Sequence, residues 1–347
     1  MSRPFRPDAS LPHPSPPHSP LPADRDASPD LHAPPRRARG AWSLALLAIG
    51  SIAVTWSVAG GAALSASLPG MLRVLPWMAG LSLGSMVLRY LRWRWLLRRF
   101  ANRLTPWRGF LAYVAGFVFT ASPGKAGELV RIRYHAPFGI GGAQVFSAFL
   151  FERACDLVAV LVLSCLALAQ PGLLALAAAF VALLLATIGV LARWPALFGR
   201  AADALAGRGH PKLAGMLRAV RDGFAGCRIW LTLPDLSIGL AIGLAAWALT
   251  ALSLVLLLAQ LGFTLGWTAA LSTYPLAMLV GAASMLPGGI GSTELAIVAL
   301  LAPLGVPVAT ATLAAVGVRF ATLWFAIACG LLAMLRLEAL QSKGRSA

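Results

Sequence analysis

Two short segments of the sequence put a carboxylate directly behind a break in the backbone: Ser122-Pro-Gly-Lys-Ala-Gly-Glu128 and Leu286-Pro-Gly-Gly-Ile-Gly-Ser-Thr-Glu294. Each interrupts an apolar stretch that would otherwise continue as a helix. The breaking residues are Pro123, Gly124 and Gly127 in the first, and Pro287, Gly288, Gly289 and Gly291 in the second. Proline removes a backbone donor and glycine accepts conformations closed to other residues. Half-helix ends with free N–H and C=O groups are suited to binding an ion or a charged headgroup. In a membrane, such a break is tolerated only inside protein or beside a watery cavity, and paired breaks in the two halves of a chain point to a transport site.

The acidic residues sharpen this, because the chain has only twelve. Asp8, Asp24, Asp26 and Asp30 lie in a polar leader, and Asp203, Asp222, Asp235 and Glu338 in segments expected to be cytoplasmic. Glu128, Glu152, Asp156 and Glu294 are left in or beside apolar helices. An ionised group at the bilayer centre costs roughly 2.5–3.5 kcal/mol on the most lenient scale, so each must be paired, neutralised or hydrated. Glu152 and Asp156 stand one helical turn apart and share a face, flanked by Arg153. Lys125, Arg131, Arg133 and the mid-helix Arg319 are candidate counter-charges. Two readings are open: buried ion pairs that fix helix packing, or a binding site. In the second, Lys125, Arg131, Arg153 and Arg319 face a phosphate, while Glu128 and Glu294 bind an amino group, a coupling cation or a proton. Arg319 is alternatively a structural partner of Glu294. The cluster Arg89 to Arg99, with tryptophan interleaved, suits an anchor at headgroup level.

The composition agrees with a bilayer protein: 59% of residues are hydrophobic, 12% are charged and the mean hydropathy is +0.77. These values exclude a water-soluble enzyme. The net charge of +17 resides in short loops between apolar spans, the pattern of a membrane protein rather than of a nucleic-acid partner. Cys155, Cys165, Cys227 and Cys329 have no metal-ligand spacing, so neither a metal nor a disulfide is expected. No cofactor is implied.

Spans of about 20 residues organise the rest. Residues 1–38, rich in Pro and Ser, are expected to form a disordered cytoplasmic tail. A membrane domain covers 41–337, followed by a short cytoplasmic tail, 338–347. The expected crossings are 41–66, 71–92, 143–169, 172–192, 236–260 and 308–335. Residues 108–122 are too short to span comfortably and run into the first break, so they make a re-entrant hairpin; 267–303 hold the second. Residues 193–230 are basic with apolar residues at helical spacing, which suits an amphipathic helix on the cytoplasmic leaflet or a solvated linker. The fold class is all-α and polytopic, with about six transmembrane helices and two broken hairpins in an inverted-repeat-like arrangement. Lys and Arg outside the spans place both termini in the cytoplasm.

Three patterns in order then carry a family resemblance. They are Arg89-x-x-Arg92-Trp93, then Pro123-Gly-Lys-Ala-Gly-Glu-Leu-Val-Arg131 followed by Glu152-Arg-x-x-Asp156, and lastly Pro287-Gly-Gly-x-Gly-x-x-Glu294 with Arg319 downstream. Together they resemble the membrane region of lysylphosphatidylglycerol synthases, also found as stand-alone flippase-like proteins, over about residues 41–337. The resemblance implies movement of a lipid between leaflets of the inner membrane without the aminoacyl transfer of the synthases' soluble domain. Lys125 departs from the family, which more often has Arg there. The reading is therefore a non-enzymatic transporter of a phospholipid or polyprenyl-phosphate-type lipid. It has no Walker-type nucleotide loop. Two alternatives stand beside it: a non-catalytic subunit assisting a lipid or glycan synthase, and an intramembrane transferase using Glu128, Glu152 and Asp156 as acid and base, against which no His is expected in the apolar core. The lipid, the coupling and the oligomeric state are not given by the sequence.

Overall fold

Long runs of Leu, Ala and Val without turn residues favour helices, and every regular element among the described residues is helical. The computed structural model describes residues 61–100, 105–168 and 195–343, with isolated helical positions between 169 and 194. Helix α1 is Gly61–Leu97 and α2 is Pro106–Ala115. Two 3₁₀ segments follow, Gly116–Phe119 and Pro123–Val130, before α3, Arg131–His135. Next come α4 (Gly142–Leu168), α5 (Pro195–Gly207), α6 (Pro211–Cys227), α7 (Leu233–Gln260) and α8 (Trp267–Ala283). The last elements are α9 (Ser292–Leu301), α10 (Val308–Arg319), a π-helical turn Phe320–Trp324 and α11 (Phe325–Lys343).

Among the described residues, four stretches are long and apolar enough to cross a membrane: Pro69–Leu97, Leu233–Gln260, Pro287–Leu304 and Val308–Ser342. At 27 residues, α4 is also about 40 Å long, but it carries Glu152, Arg153 and Asp156 around its middle. The chain is an all-α, multi-pass membrane protein. Residues 1–60 and the expected span at 172–192, apart from a few positions, lie outside the described residues.

One expectation is corrected. The crossings expected at 41–66 and 71–92 are not separated by a turn, because the chain stays helical through Pro69-Gly70 from Gly61 to Leu97. Proline and glycine are strong turn signals in water, but a membrane helix tolerates them when neighbouring groups cover the exposed backbone. Here α1 packs along α7, and the side chain of Gln260 lies against Gly70. A second difference concerns 193–230, which forms a two-helix hairpin, α5–α6. Its α6 leans on α4: the Cys227 thiol donates to the Ser147 carbonyl at 3.3 Å. Leu213 and Met216 stay exposed. Finally, α11 continues to Lys343 through most of the expected terminal tail.

Both breaks make hairpins. In the first, α2 and its 3₁₀ extension measure about 23 Å, short of the ~30 Å hydrocarbon core, before the chain turns at Thr120–Ser122 and returns. Arg131 on the returning limb donates through Nε to the Tyr113 carbonyl of α2 at 3.0 Å. In the second, α9 folds back along α8, with Gly281 against Thr293. Each hairpin has its own apolar cluster. Tyr90, Trp93, Tyr113, Phe117 and Phe151 surround the first, whereas Leu254, Tyr274, Ile297, Ala311 and Val318 surround the second. Helix α4 feeds both, giving Phe151 and Cys155 to one and Ala159 and Val160 to the other, with Asp156 at the changeover.

Close packing gives the first hairpin a specific point of failure. The Arg131 guanidinium arm crosses Gly116, where an added Cβ would stand 2.5 Å from Nε. Gly116→Val should therefore lower stability by about 1–3 kcal/mol through overpacking. Gly80→Ala in α1, with no neighbour within 4 Å of the new atom, should be neutral or slightly stabilising. Thermal unfolding of the detergent-solubilised protein checks both; equal midpoints for the two variants would contradict the packing.

Candidate functional site

The four intramembrane carboxylates are all paired in the structure. Asp156 binds Arg92 at 2.6 Å and Arg89 at 2.7 Å, both reaching across from α1. Glu152 meets Arg92 and Arg131 at 3.3 Å each, and its Oε1 accepts from the Tyr113 hydroxyl. Glu128 lies 2.9 Å from Arg131 and accepts from the Thr120 hydroxyl at 3.0 Å. Arg153 stands between them, within 3.2 Å of Asp156, 3.4 Å of Glu152 and 3.9 Å of Glu128. Three elements are thereby joined: α1, the first hairpin and α4. Glu128, Glu152, Arg92 and Arg131 are fully buried.

Aromatic rings complete this network. The Arg131 guanidinium lies 4.0 Å from the Tyr113 ring centre and 5.1 Å from that of Trp93. Such stacking suits a planar, weakly hydrated cation in an apolar setting. Behind it, Trp93 donates its indole N–H to His135 Nε2 at 3.2 Å, and His135 Nδ1 donates to the Arg131 carbonyl at 2.8 Å. One ring nitrogen accepts and the other donates, so these bonds define a neutral tautomer. His135 is fully buried, contrary to the expectation of a core without histidine; its partner Trp93 belongs to the segment read as an interfacial anchor.

A parallel but smaller clasp holds the second break. Arg319 Nε binds Glu294 Oε1 at 2.8 Å, while Glu294 Oε2 accepts from the Gly291 backbone N–H at 2.6 Å, at the start of α9. Arg319 Nη2 also donates to the Gly288 carbonyl. One arginine thus fixes both the loop and the helix that follows it.

The tips of the two breaks meet. Gly288, at φ +64°, sits against Ala121, and an added Cβ would stand 3.3 Å from it. Beside this contact lies a cavity of about 220 Å³, bordered by Ser122 and Lys125 of the first break and by Gly288 and Gly289 of the second. Its lining includes four cations, Arg89, Lys125, Arg153 and Arg319, but no carboxylate or imidazole among the described residues. Met86, Phe117, Met278 and Leu323 supply apolar walls.

Of the residues singled out from sequence, Lys125, Arg153 and Arg319 border this cavity, together with Gly288 and Gly289. Glu128, Arg131, Glu152, Asp156 and Glu294 do not; they hold the bordering arginines or the hairpins in place. Gly127 serves the first break by donating its N–H to Ser122 Oγ at 2.7 Å. Arg89 and Arg92 are the residues that sequence reasoning set aside as interfacial. Both are buried, at 9% and 0% exposure. The signal available for them is the motif Arg89-x-x-Arg92-Trp93 that carries the family resemblance, in which Arg94, Arg98 and Arg99 have no place. Arg99 does bind Asp235, at 2.6 Å, where α7 begins; Asp235 is itself buried. Arg133 is exposed and takes no part.

The chain belongs to the family of the lysylphosphatidylglycerol synthase TM region. The match covers residues 41–330, which includes both breaks, the α1 arginines, the α4 charges and Arg319. Membership connects the protein with membrane lipids. None of the curated proteins compared with it matches.

Lys125 differs from every other basic residue at this family site. Its φ of +57° is left-handed, and among the described residues no carboxylate lies within ion-pair distance of its ammonium; the Trp247 ring centre is 6.0 Å away. The two clasps therefore predict different behaviour. Arg319→Ala and Glu294→Ala should each destabilise the protein, and the double variant should fall short of their sum by about 0.5–3 kcal/mol. Lys125→Asn should leave the unfolding midpoint within a degree or two, roughly ±0.5 kcal/mol, because it breaks no pair and asparagine accepts the left-handed backbone. A double-mutant cycle in detergent measures the first, and additive losses would refute the clasp.

Proposed function

We propose that this protein moves a lipid with a phosphate-bearing headgroup between the leaflets of a cell inner membrane, with both termini in the cytoplasm. The observation that carries the reading is the cavity between the touching breaks, lined by Arg89, Lys125, Arg153 and Arg319, with the carboxylates that hold these arginines set behind the lining rather than in it among the described residues. Cations that outnumber their carboxylate partners favour an anion, and a guanidinium fork engaged on one edge still offers donors matched to phosphate oxygens. The apolar walls suit the first carbons of a lipid chain.

How such a site would work follows from its mounting. Arg89 and Arg153 are held from behind by Asp156, so they present fixed donors, whereas Lys125 is uncommitted and meets the ligand as a mobile ammonium. The first break is bound within its own hairpin by Ser122, and the second is held to α10 by Arg319. The two hairpins can then separate or close as units, which is how alternating access proceeds around a fixed site in transporters built from broken helices. Neither carboxylate nor imidazole lines the cavity among the described residues, which favours binding and release over acid–base chemistry on the lipid. A lipid or glycan synthase would be a natural partner, as supplier or consumer of the lipid.

Reconstitution tests this. In liposomes carrying fluorescent lipids of several headgroups, the wild-type chain should accelerate inter-leaflet movement of at least one phosphate-bearing lipid. Lys125→Asn should reduce that rate about tenfold or more while the protein remains folded, since one desolvated charge is worth more than about 1.4 kcal/mol. Movement no faster than in empty liposomes for every headgroup would remove the proposal.

A further inference from the structure

Charge at the site narrows the lipid class further. Behind and around the cavity, the four arginines Arg89, Arg92, Arg131 and Arg153 pair with the three carboxylates Glu128, Glu152 and Asp156, and Lys125 in the lining makes a fifth cation. Arg319 and Glu294 cancel one another. Among the described residues the assembly therefore holds an excess of two positive charges. His135 adds none, because its two hydrogen bonds define the neutral ring.

Two unmatched charges at a partly buried site within the membrane region are unfavourable unless a ligand supplies the opposite sign. A phosphodiester headgroup brings one negative charge and leaves one cation over. A zwitterionic headgroup brings no net charge, and an aminoacylated one adds a cation where no carboxylate lines the wall. A terminal phosphomonoester carries roughly −1.5 to −2 at neutral pH and offers three strong acceptor oxygens. It matches the excess. Three of the bordering cations, Arg89, Lys125 and Arg153, belong to this excess-charge assembly, one donor group for each of those oxygens.

We infer that the ligand of this cavity is a lipid ending in a phosphomonoester, of the phosphatidate or polyprenyl phosphate kind, in preference to phosphodiester, zwitterionic or aminoacylated lipids. This rests on the reading of the cavity as a lipid site, but it concerns binding, which is measured apart from movement. The apolar wall at Met86, Phe117 and Leu323 distinguishes a lipid from free phosphate, because an inorganic ion leaves that surface uncovered.

The experiment uses the purified full-length chain in a neutral detergent, with dissociation constants obtained by native mass spectrometry and unfolding midpoints measured alongside. The probes are phosphatidic acid, phosphatidylglycerol, phosphatidylethanolamine, lysylphosphatidylglycerol and inorganic phosphate. Phosphatidic acid should bind at least about tenfold more tightly than phosphatidylglycerol, the effect of one further charge near a partly desolvated site. The other two lipids should be weaker again, and millimolar inorganic phosphate should not displace phosphatidic acid. Lys125→Asn lowers the excess to one, so the advantage of phosphatidic acid over phosphatidylglycerol should shrink to about twofold or less, with the unfolding midpoint unchanged. Equal binding of the two phosphate classes by the wild type, or tightest binding of lysylphosphatidylglycerol, overturns the inference. Displacement by inorganic phosphate at comparable concentration overturns its lipid half. Phosphatidic acid bound selectively but not moved in liposomes would sink the transport reading and leave this inference standing; a phosphodiester lipid bound and moved without any monoester preference would do the reverse.

Discussion

A charge within an apolar helix layer cannot be left bare, and the architecture of this protein follows from that constraint. Glu152 and Asp156 on α4 require cations, and these come from two directions: Arg89 and Arg92 from α1, and Arg131 from the returning limb of the first hairpin. Once those contacts form, the rotation of three elements is fixed. Buried ion pairs are weak contributors to net stability, since desolvation offsets much of the attraction, yet removing one partner is severely destabilising. A network of this size is therefore better understood as a device that specifies position. What it positions is a set of guanidinium groups at the wall of a cavity.

The two breaks solve related problems by different means. Around the first, a dense shell of aromatic rings receives Arg131, and the loop is closed by Ser122, whose carbonyl accepts from the Lys125 N–H at 2.9 Å. Around the second, small residues such as Ala311, Ala314 and Ala315 allow close helix approach, and one arginine substitutes for the shell. Arg319 lies immediately before the π-helical turn Phe320–Trp324. Within that turn, the Thr322 hydroxyl donates to the Val318 carbonyl at 2.7 Å and pairs with the Tyr274 hydroxyl of α8. A π-turn adds a residue to the helical circuit and re-aims what surrounds it. Here it links the arginine clasp to the wall of the second hairpin.

Much of this was legible in the sequence because the bilayer makes errors expensive. Proline and glycine in an apolar stretch, scarce carboxylates and a solitary arginine announce themselves by cost alone, and Glu294 and Arg319 are indeed partners. The less legible features are those in which one composition serves two environments. Interleaved Trp and Arg suit headgroups, but Trp93 and Arg92 are among the most completely buried of the described residues. Spacing alone does not distinguish the cases, since Arg94 and Arg98 also stand one turn apart; the carboxylate that faces Arg89 and Arg92 across the helix pair does. The Pro69-Gly70 pair likewise signals a turn until a neighbouring helix covers it. The division of labour among the carboxylates was not legible at all. An acid behind a glycine-rich break can face a ligand or its own helix end, and Glu294 turns to its own helix, accepting the Gly291 N–H.

Lys125 shows why the cavity differs from the network behind it. Every arginine on its border is committed: Arg89 and Arg153 to Asp156, Arg319 to Glu294 and the Gly288 carbonyl. Planar forks already engaged on one edge hold a fixed direction, which is useful for a surface but leaves little charge to give. An ammonium on a flexible stem has the opposite character, with three donors that rotate to meet whatever arrives. A non-glycine residue in the left-handed region is unfavourable by about 1–3 kcal/mol and persists only when its surroundings enforce it. The hydrogen bonds of Ser122 to both Lys125 and Gly127 provide that enforcement. The strain is thus stored at the one bordering cation without a carboxylate partner among the described residues, in the loop that touches the opposite break, so binding at Lys125 and contact between the hairpins act on the same short piece of backbone.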